Sequence, residues 1–437
     1  MKKFRVFFFC LLSAFFFTAC EKSPPPQENL YPLYRIVVLS DIHYMDPSLL
    51  VNDGTAFQTY LFKDPKLLAA SDSILQATIT QIINASPDLV LISGDLTKDG
   101  ERISHTSLIA LLKQFTDHYI KVVVTIGNHD VSNPEAKSFD GDQSYPVESI
   151  SPEEVPVLYA DFGFGSAVST DPNSLSYICE PLPGLQILAI DANEYYLNGD
   201  TVCVTSGKIK PETMDWAVSA IAQAQNSGKV VFGMMHHGII QHYTGQQQID
   251  PGYLVDDWQH QADKFIQAGL RIMLTGHYHA TDMVMTGSGS NFLIDVETGS
   301  LVTAPCAYRT IVLYDDMSTI RVTTNNVTGV TLPDSVNFDT YKTAFLKLHL
   351  DALFSYMLLN PPYQLDSATA AFGSRRLRNG LMAHYAGNEN LAKPESDSVR
   401  IFSDSVPSIG AIVQAWWNDL NLQDKSLRIN LKTGLVK

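Results

Sequence analysis

Cysteine is scarce in this 437-residue chain. There are five, two of them (Cys10 and Cys20) within the first twenty residues, leaving Cys179, Cys203 and Cys306 for the rest. Three thiols allow at most one disulfide, with Cys179 and Cys203 the nearest pair in sequence, or else three buried free thiols. They do not supply the soft sulfur sites that hold copper or iron–sulfur clusters. Positive charge is also short, with 30 Lys+Arg against 46 Asp+Glu and a net charge of −16. Setting aside Lys2, Lys3 and Arg5 takes the balance to −19, and residues 331–437 carry 11 basic against 10 acidic residues, so nearly all the excess lies in 34–330. Such a surface does not attract phosphate backbones, which excludes nonspecific nucleic-acid binding and requires any phosphate site to be locally cationic.

Long apolar runs are absent except at the N-terminus, where "MKKFRVFFFCLLSAFFFTAC" places a short basic region before an apolar stretch. That stretch is too short and wrongly flanked for a membrane span and matches a signal segment. "FTAC" resembles a bacterial lipobox, which implies cleavage after residue 19 and lipidation of Cys20; the alternative is a secretory signal with a chance cysteine. Residues 1–19 are thus expected to be a signal peptide, and 20–33, "CEKSPPPQENLYPL", a lipidated cysteine with a Pro-rich tether. The expected location is the cell envelope, as a periplasmic or outer-membrane lipoprotein held to the membrane through Cys20.

What remains is a chain 45% hydrophobic, ample for a large core. From Arg35 short apolar runs alternate with helical periods: "RIVVLS", then Leu67 to Ile83 at helical spacing, "LVLISG", a helix from Ile103 to Phe115, and "KVVVTIG". This is α/β wiring. A polar, Pro- and Gly-rich insertion follows to about Asp171, expected to shape a surface. Two more buried strands, "KVVFGMMH" and "LRIMLTGH", precede three β-rich stretches without helices between them, which predicts a two-sheet core with an antiparallel second sheet. The main domain is set at 34–334. Residues 335–437, helical in texture and near neutral, are read as a small helical C-terminal unit, with "RRLR" at 375–378 as a solvated helix face.

The polar exceptions fall at strand exits: "SDIH", "SGD", "IGNHD", "MMHH" and "TGHYH". In open α/β sheets the loops at the carboxyl ends of strands converge on one crevice. Asp41, His43, Asp95, Asn128, His129, His236, His277 and His279 are therefore expected to meet. Carboxylate, amide and imidazole donors suit Mn, Fe or Zn, and so many donors are too many for one tetrahedral ion but suit two divalent ions sharing one carboxylate, a standard device for phosphoryl displacement.

These five motifs resemble those of the calcineurin-like metallophosphoesterases over roughly residues 34–330. The resemblance implies a four-layer α/β/β/α sandwich in which two metals bridge a nucleophilic hydroxide. It implies Asp41, His43 and His279 as ligands of one metal, Asn128, His236 and His277 as ligands of the other, and Asp95 as the bridge. His129 would contact the phosphate and assist the leaving group as general acid. His237 is left behind the ligands or in the pocket wall. "GDLTKDG" departs from the "GDxxDRG" of Ser/Thr protein phosphatases, with Lys98 where a second Asp should stand. It looks more like the cyclic-nucleotide and glycerophosphodiester phosphodiesterase branch, and leaves Asp99, Asp130 or a carbonyl to orient His129. His242, Tyr243 and Tyr44 are candidates for contacting a small phosphoester substrate, with 131–171 and 241–248 as pocket walls. A phosphomonoesterase, nucleotidase or sphingomyelinase-like esterase is the alternative enzyme, and a catalytically silent surface module the non-enzyme alternative.

Overall fold

The computed structural model describes residues 30–389, 393–418, 420 and 422–436. Cys10, Cys20 and the expected signal peptide lie outside them.

The strands, in chain order, are β1 Pro32–Leu39, β2 Leu50–Asn52, β3 Leu89–Ser93, β4 Lys121–Thr125, β5 Lys137–Asp140, β6 Gln143–Pro146, β7 Ala167–Thr170 and β8 Tyr177–Leu182. They continue with β9 Leu185–Ile190, β10 Val230–Met235, β11 Ile272–Thr275, β12 Met283–Ser288, β13 Asn291–Glu297, β14 Ala307–Tyr314, β15 Thr319–Asn326 and β16 Ser426–Asn430. One sheet has the order β16-β15-β14-β1-β3-β4, the second β12-β13-β11-β10-β9-β8-β7, and β2, β5 and β6 form a small third.

Strand periodicity explains the layering. In the first sheet Ile36, Val38, Leu89, Leu91 and Val123 point inward to meet Ile187, Ala189, Phe232, Met234, Ile272 and Leu274 of the second. The alternate residues Val37, Leu39, Val90, Ile92 and Val124 point outward onto Ile74, Ile79, Leu108, Leu112 and Phe115 of helices Ser71–Ala85 and Arg102–Asp117. On the far side Leu188, Ile190, Met235 and Met273 meet Met214, Ala217, Ile221 and Phe265 of helices Pro211–Asn226 and Trp258–Ala268. Both faces of each sheet are buried, which is why these strands read as unbroken apolar runs. The result is the expected α/β/β/α sandwich.

The second sheet differs from its prediction. β9, β10, β11 and β13 are parallel, with antiparallel strands only at the edges, β12 on one side and β8 and β7 on the other. The helices that follow β9 and β10 carry the chain back across the sheet, and such a crossover yields a parallel neighbour. Of the three closing β-rich stretches, only "NFLIDVET" joins the second sheet; β14 and β15 return to the first.

The C-terminal region is helical, as expected, over Phe338–Leu359, Ser367–Tyr385, Lys393–Ser405 and Pro407–Trp416, but it is not a separate helical unit. Its helices pack on Tyr243, Tyr278, Ala280 and Ala304 of the main domain. After them, β16 pairs antiparallel with β15 and buries Leu427 and Ile429 in the core between the sheets. A five-residue strand with only two apolar positions is too short to stand out in sequence; the unpaired edge of β15 decides its conformation. In "RRLR" only Arg375 is exposed, since Leu377 is buried, Arg376 packs over Phe372 and Arg378 pairs with Asp351 at 2.5 Å. Truncating Ile429, which is 0% exposed, to Ala should cost about 2–5 kcal/mol. An unchanged denaturation midpoint would mean that β16 does not close the core.

Candidate metal centre

The five motifs meet because each follows the carboxyl end of a parallel strand. Asp41 and His43 follow β1, Asp95 follows β3, Asn128 and His129 follow β4, His236 follows β10, and His277 and His279 follow β11. The first three strands belong to one sheet and the last two to the other, so the centre sits where the carboxyl edges of both sheets meet.

The backbone there is forced. Asp41 (φ 49°), His43 (φ 41°), Asp95 (φ 47°), His277 (φ 77°) and His279 (φ 65°) all adopt left-handed conformations. Such residues are uncommon outside glycine and cost about 1–3 kcal/mol each, and they cluster at functional sites. The motif glycines have a different task, close approach. A Cβ on Gly127 would lie 2.1 Å from Asp95 Oδ1, and one on Gly276 would lie 1.8 Å from Ser40 Oγ and 2.5 Å from Asp41 Oδ2.

Each carboxylate commits one oxygen to the protein and turns the other to the centre. Asp41 Oδ2 accepts from Ser40 Oγ at 2.5 Å and from the His277 N–H at 3.0 Å. Asp41 Oδ1 is buried and accepts no hydrogen bond, 3.4 Å from His279 Nε2 and 3.8 Å from His43 Nε2. An orphaned buried carboxylate oxygen is costly unless a cation completes it. Asp95 Oδ1 accepts the His129 N–H at 3.0 Å. Asp95 Oδ2 lies between two imidazoles, 3.4 Å from His43 Nε2 and 3.3 Å from His236 Nε2.

The imidazoles are oriented by their other nitrogens. His236 Nδ1–H donates to the Ser93 carbonyl at 3.0 Å, so its Nε2 faces the centre beside Asn128 Oδ1, 3.2 Å away. His277 Nε2–H donates to the carbonyls of Thr205 and Gly252 at 3.1 and 3.2 Å, freeing Nδ1 for the centre. His279 Nδ1 meets Thr303 Oγ1 at 3.0 Å. Burial pushes His43 and His277 well below the ordinary histidine range, which keeps them neutral and able to ligate. Burial also opposes charge on His236, but Asp95 and Asp41 outweigh it and raise the group to about 9. Three sets of ligand atoms lie within 4.8 Å of one another: Asp41, His43 and His279; Asp95, His236 and His277; and His43, Asp95 and His129. The donor set fits two divalent ions, and Asp41 Oδ1 in particular requires one.

His129 is held differently. Its Nδ1 is 2.8 Å from Asp99 Oδ1, while its Nε2 stands 4.0 Å from Asp95 Oδ2. Burial and Lys66 depress its pKa, but Asp95 and Asp99 more than compensate and hold it above the ordinary value. Asp99 is buried with Lys98 on its other oxygen, which also accepts from the Tyr60 hydroxyl at 2.9 Å, and Lys98 reaches Glu101 at 2.8 Å. The orienting group is therefore Asp99, and the unexpected Lys98 neutralises it. Asp130 does something else, accepting the N–H groups of Leu96, Thr97 and Gly127 and so clamping two motif loops together.

Four expectations fail. His242 is 1% exposed and does not line the cavity; it is enclosed by Asp282 and Asp295, each 3.3 Å away, and Glu297 at 3.4 Å. Tyr44 is buried, with its hydroxyl donating to Asp72 at 3.2 Å. Tyr243 is buried beneath the surface, its hydroxyl donating to Asp250. Only Glu135 of the 131–171 insertion, and nothing of 241–248, reaches the cavity. Such polar loop residues look like pocket residues in sequence, but each has found an internal partner. His237 lies behind the centre, its Nε2–H donating to the Thr205 carbonyl at 2.9 Å, its ring 4.4 Å from that of His277. All three remaining cysteines are free thiols, and Cys203 lines the cavity beside Asn128.

The cavity, ≈ 450 Å³, holds groups that no motif signalled, chiefly Lys66. Its Nζ is 3.4 Å from His43 Nδ1 and 2.6 Å from Asp64, supplying the local cation that an acidic protein needs near a phosphate. An isolated lysine between two helical segments carries no signal of its own.

No curated protein sequence matches the chain. Among solved structures it is similar to a dimetal phosphatase from Danio rerio, with 13% identity over 68% of this chain and 98% of the other and a TM-score of 0.48. It is also similar to the sulfate thiohydrolase SoxB of Thermus thermophilus, solved with glycerol, with 16% identity over 75% and 61% of the two chains and a TM-score of 0.35. The family model for calcineurin-like phosphoesterases matches residues 34–281, more than half of the chain and every motif residue of the centre, and the protein belongs to that family.

Proposed function

We propose that the protein hydrolyses a small phosphodiester using two divalent ions, Mn, Fe or Zn by the hardness of their ligands. Asp41, His43 and His279 would hold one; Asn128, His236 and His277 would hold the other; Asp95 would serve both. The observation that carries this reading is the position of Asp95 Oδ2, 3.4 and 3.3 Å from an imidazole of each set. When bound, such a pair supplies Lewis acidity to a phosphoryl oxygen and acidifies a coordinated water.

The chain's own residues supply the rest. His129, fixed through Nδ1 by Asp99, presents Nε2 to the cavity as the donor to the departing oxygen. Diester is favoured over monoester by charge. Apart from Asp95, the cavity is lined by Asp64, Glu135 and Asp250 against only Lys63 and Lys66. Beyond the ions, whose charge attracts either ester, that balance offers the second charge of a monoester less than it offers a singly charged diester.

Protein produced without chelator should contain close to two transition ions per chain by elemental analysis. It should turn over bis-p-nitrophenyl phosphate with a higher kcat/KM than p-nitrophenyl phosphate. One ion or fewer, unmoved by supplementation, would remove the dinuclear reading, and a preference for the monoester would remove the diester.

A further inference from the structure

The C-terminal helices, to which no motif assigns a role, complete the wall of this cavity. Leu350, Leu353 and Phe354 come from helix Phe338–Leu359, Leu381 and Tyr385 from Ser367–Tyr385, and Trp416 from Pro407–Trp416. The wall begins beside the ligands, since the Tyr385 ring centroid lies 6.4 Å from that of His279. One of its two polar tips is already used: Trp416 Nε1–H donates to the Tyr278 hydroxyl at 3.0 Å, and that hydroxyl donates to Asp250 at 3.0 Å. The other is the Tyr385 hydroxyl, on the ring beside His279; Leu350, Leu353, Phe354, Leu381 and Trp416 therefore offer only methyls, ring faces and edges. A sugar or nucleoside placed there would surrender water without finding partners, at a cost that hydrogen-bonding sites avoid and apolar sites impose.

We infer that one ester substituent of the substrate is an apolar alkyl alcohol, seated on the wall formed by the C-terminal helices while the phosphoryl group faces the histidines. The inference rests on the phosphoesterase reading and extends it to a substrate class. It also gives the tail a reason to be packed against the catalytic domain: without these helices the cavity keeps only Pro65 and the rings of Tyr253 and Tyr278 as apolar lining.

The test separates the two readings by using ligands that cannot turn over. Methyl-, butyl- and octylphosphonate share a phosphoryl head and differ only in chain length, and their carbon–phosphorus bond is not an ester. Titrated calorimetrically into the metal-loaded full-length protein, they should bind with Kd falling by up to about fourfold for each methylene buried, until the wall is covered. In Leu353→Asn, at a half-buried position that tolerates the change, the gain per methylene should shrink; this slope is the quantity read. Equal Kd values across the series in the wild type, with bis-p-nitrophenyl phosphate still hydrolysed, would overturn the apolar wall and leave the phosphoesterase standing. An undiminished slope in Leu353→Asn together with Phe354→Ser would equally overturn it. Absence of both phosphonate binding and hydrolysis would remove the phosphoesterase reading and this inference with it.

Discussion

Asp95→Asn is expected to lower kcat/KM by about 10³-fold or more, the rate equivalent of the ~4 kcal/mol that metal-borne charge stabilisation supplies, and to deplete both metal positions together. The reason lies in how Asp95 is held. Its Oδ1 accepts the His129 N–H at 3.0 Å, and the oxygen of an Asn amide would take that place because the N–H demands an acceptor. The amide nitrogen would then point where Oδ2 now sits, between His43 and His236. A neutral donor in the position of a shared anion repels two cations at once. By contrast, His279→Ala removes a group that, among the residues of the centre, reaches Asp41 and His43 and not Asp95, so it should mainly weaken one position. Elemental analysis of both variants beside the wild type distinguishes these patterns. Full metal content in Asp95→Asn would contradict the shared role.

His129→Asn should leave metal content near normal and lower kcat/KM for a diester with an alkoxide leaving group by about 10²-fold or more. For a p-nitrophenyl diester the loss should be much smaller, because a stabilised phenolate departs without a proton. Some loss will remain, since an imidazole facing the cavity also hydrogen-bonds a phosphoryl oxygen as charge develops. The geometry favours the acid role: Nδ1 is committed to Asp99 at 2.8 Å, and the side chain is 17% exposed, against 12% for His279 and none for His43 and His236. Yet His129 also falls within ligand distance of His43 and Asp95, so the measurement must decide. Loss of one metal would make it a ligand, and equal losses for both leaving groups with metals retained would assign it to electrostatic binding.

Several parts of this molecule are encoded within a few consecutive residues, and those were legible. An apolar run of strand length followed by a polar exit names both the strand and the candidate ligand, as in "LVLISGD" for β3 and Asp95 or "LRIMLTGH" for β11 and His277. Unbroken apolar runs mark strands buried on both faces and a period near four marks the helices between them, so α/β wiring around a two-sheet core could be anticipated, while the four-layer order was implied by the family resemblance. The left-handed backbone at Asp41, His43, Asp95, His277 and His279 could not, because it is a consequence of aiming five side chains from two sheets at one point.

Partnership between polar groups distant in sequence was illegible for the same reason. His242 has the look of a pocket residue, yet the fold surrounds it with Asp282, Asp295 and Glu297, and burial with three carboxylates makes it part of the interior. Lys98 seemed to remove a partner from His129, whereas in three dimensions it neutralises the Asp99 that orients the ring. The chain by itself determined the α/β wiring and the convergence of the motif residues, since each rests on short-range pattern and strand direction. Tertiary structure alone decided which carboxylate holds His129, that β16 closes the first sheet, and that three C-terminal helices furnish the apolar side of the cavity. Those outcomes depend on which surfaces and charges come into contact after folding, and contacts across hundreds of residues leave no mark in a local pattern.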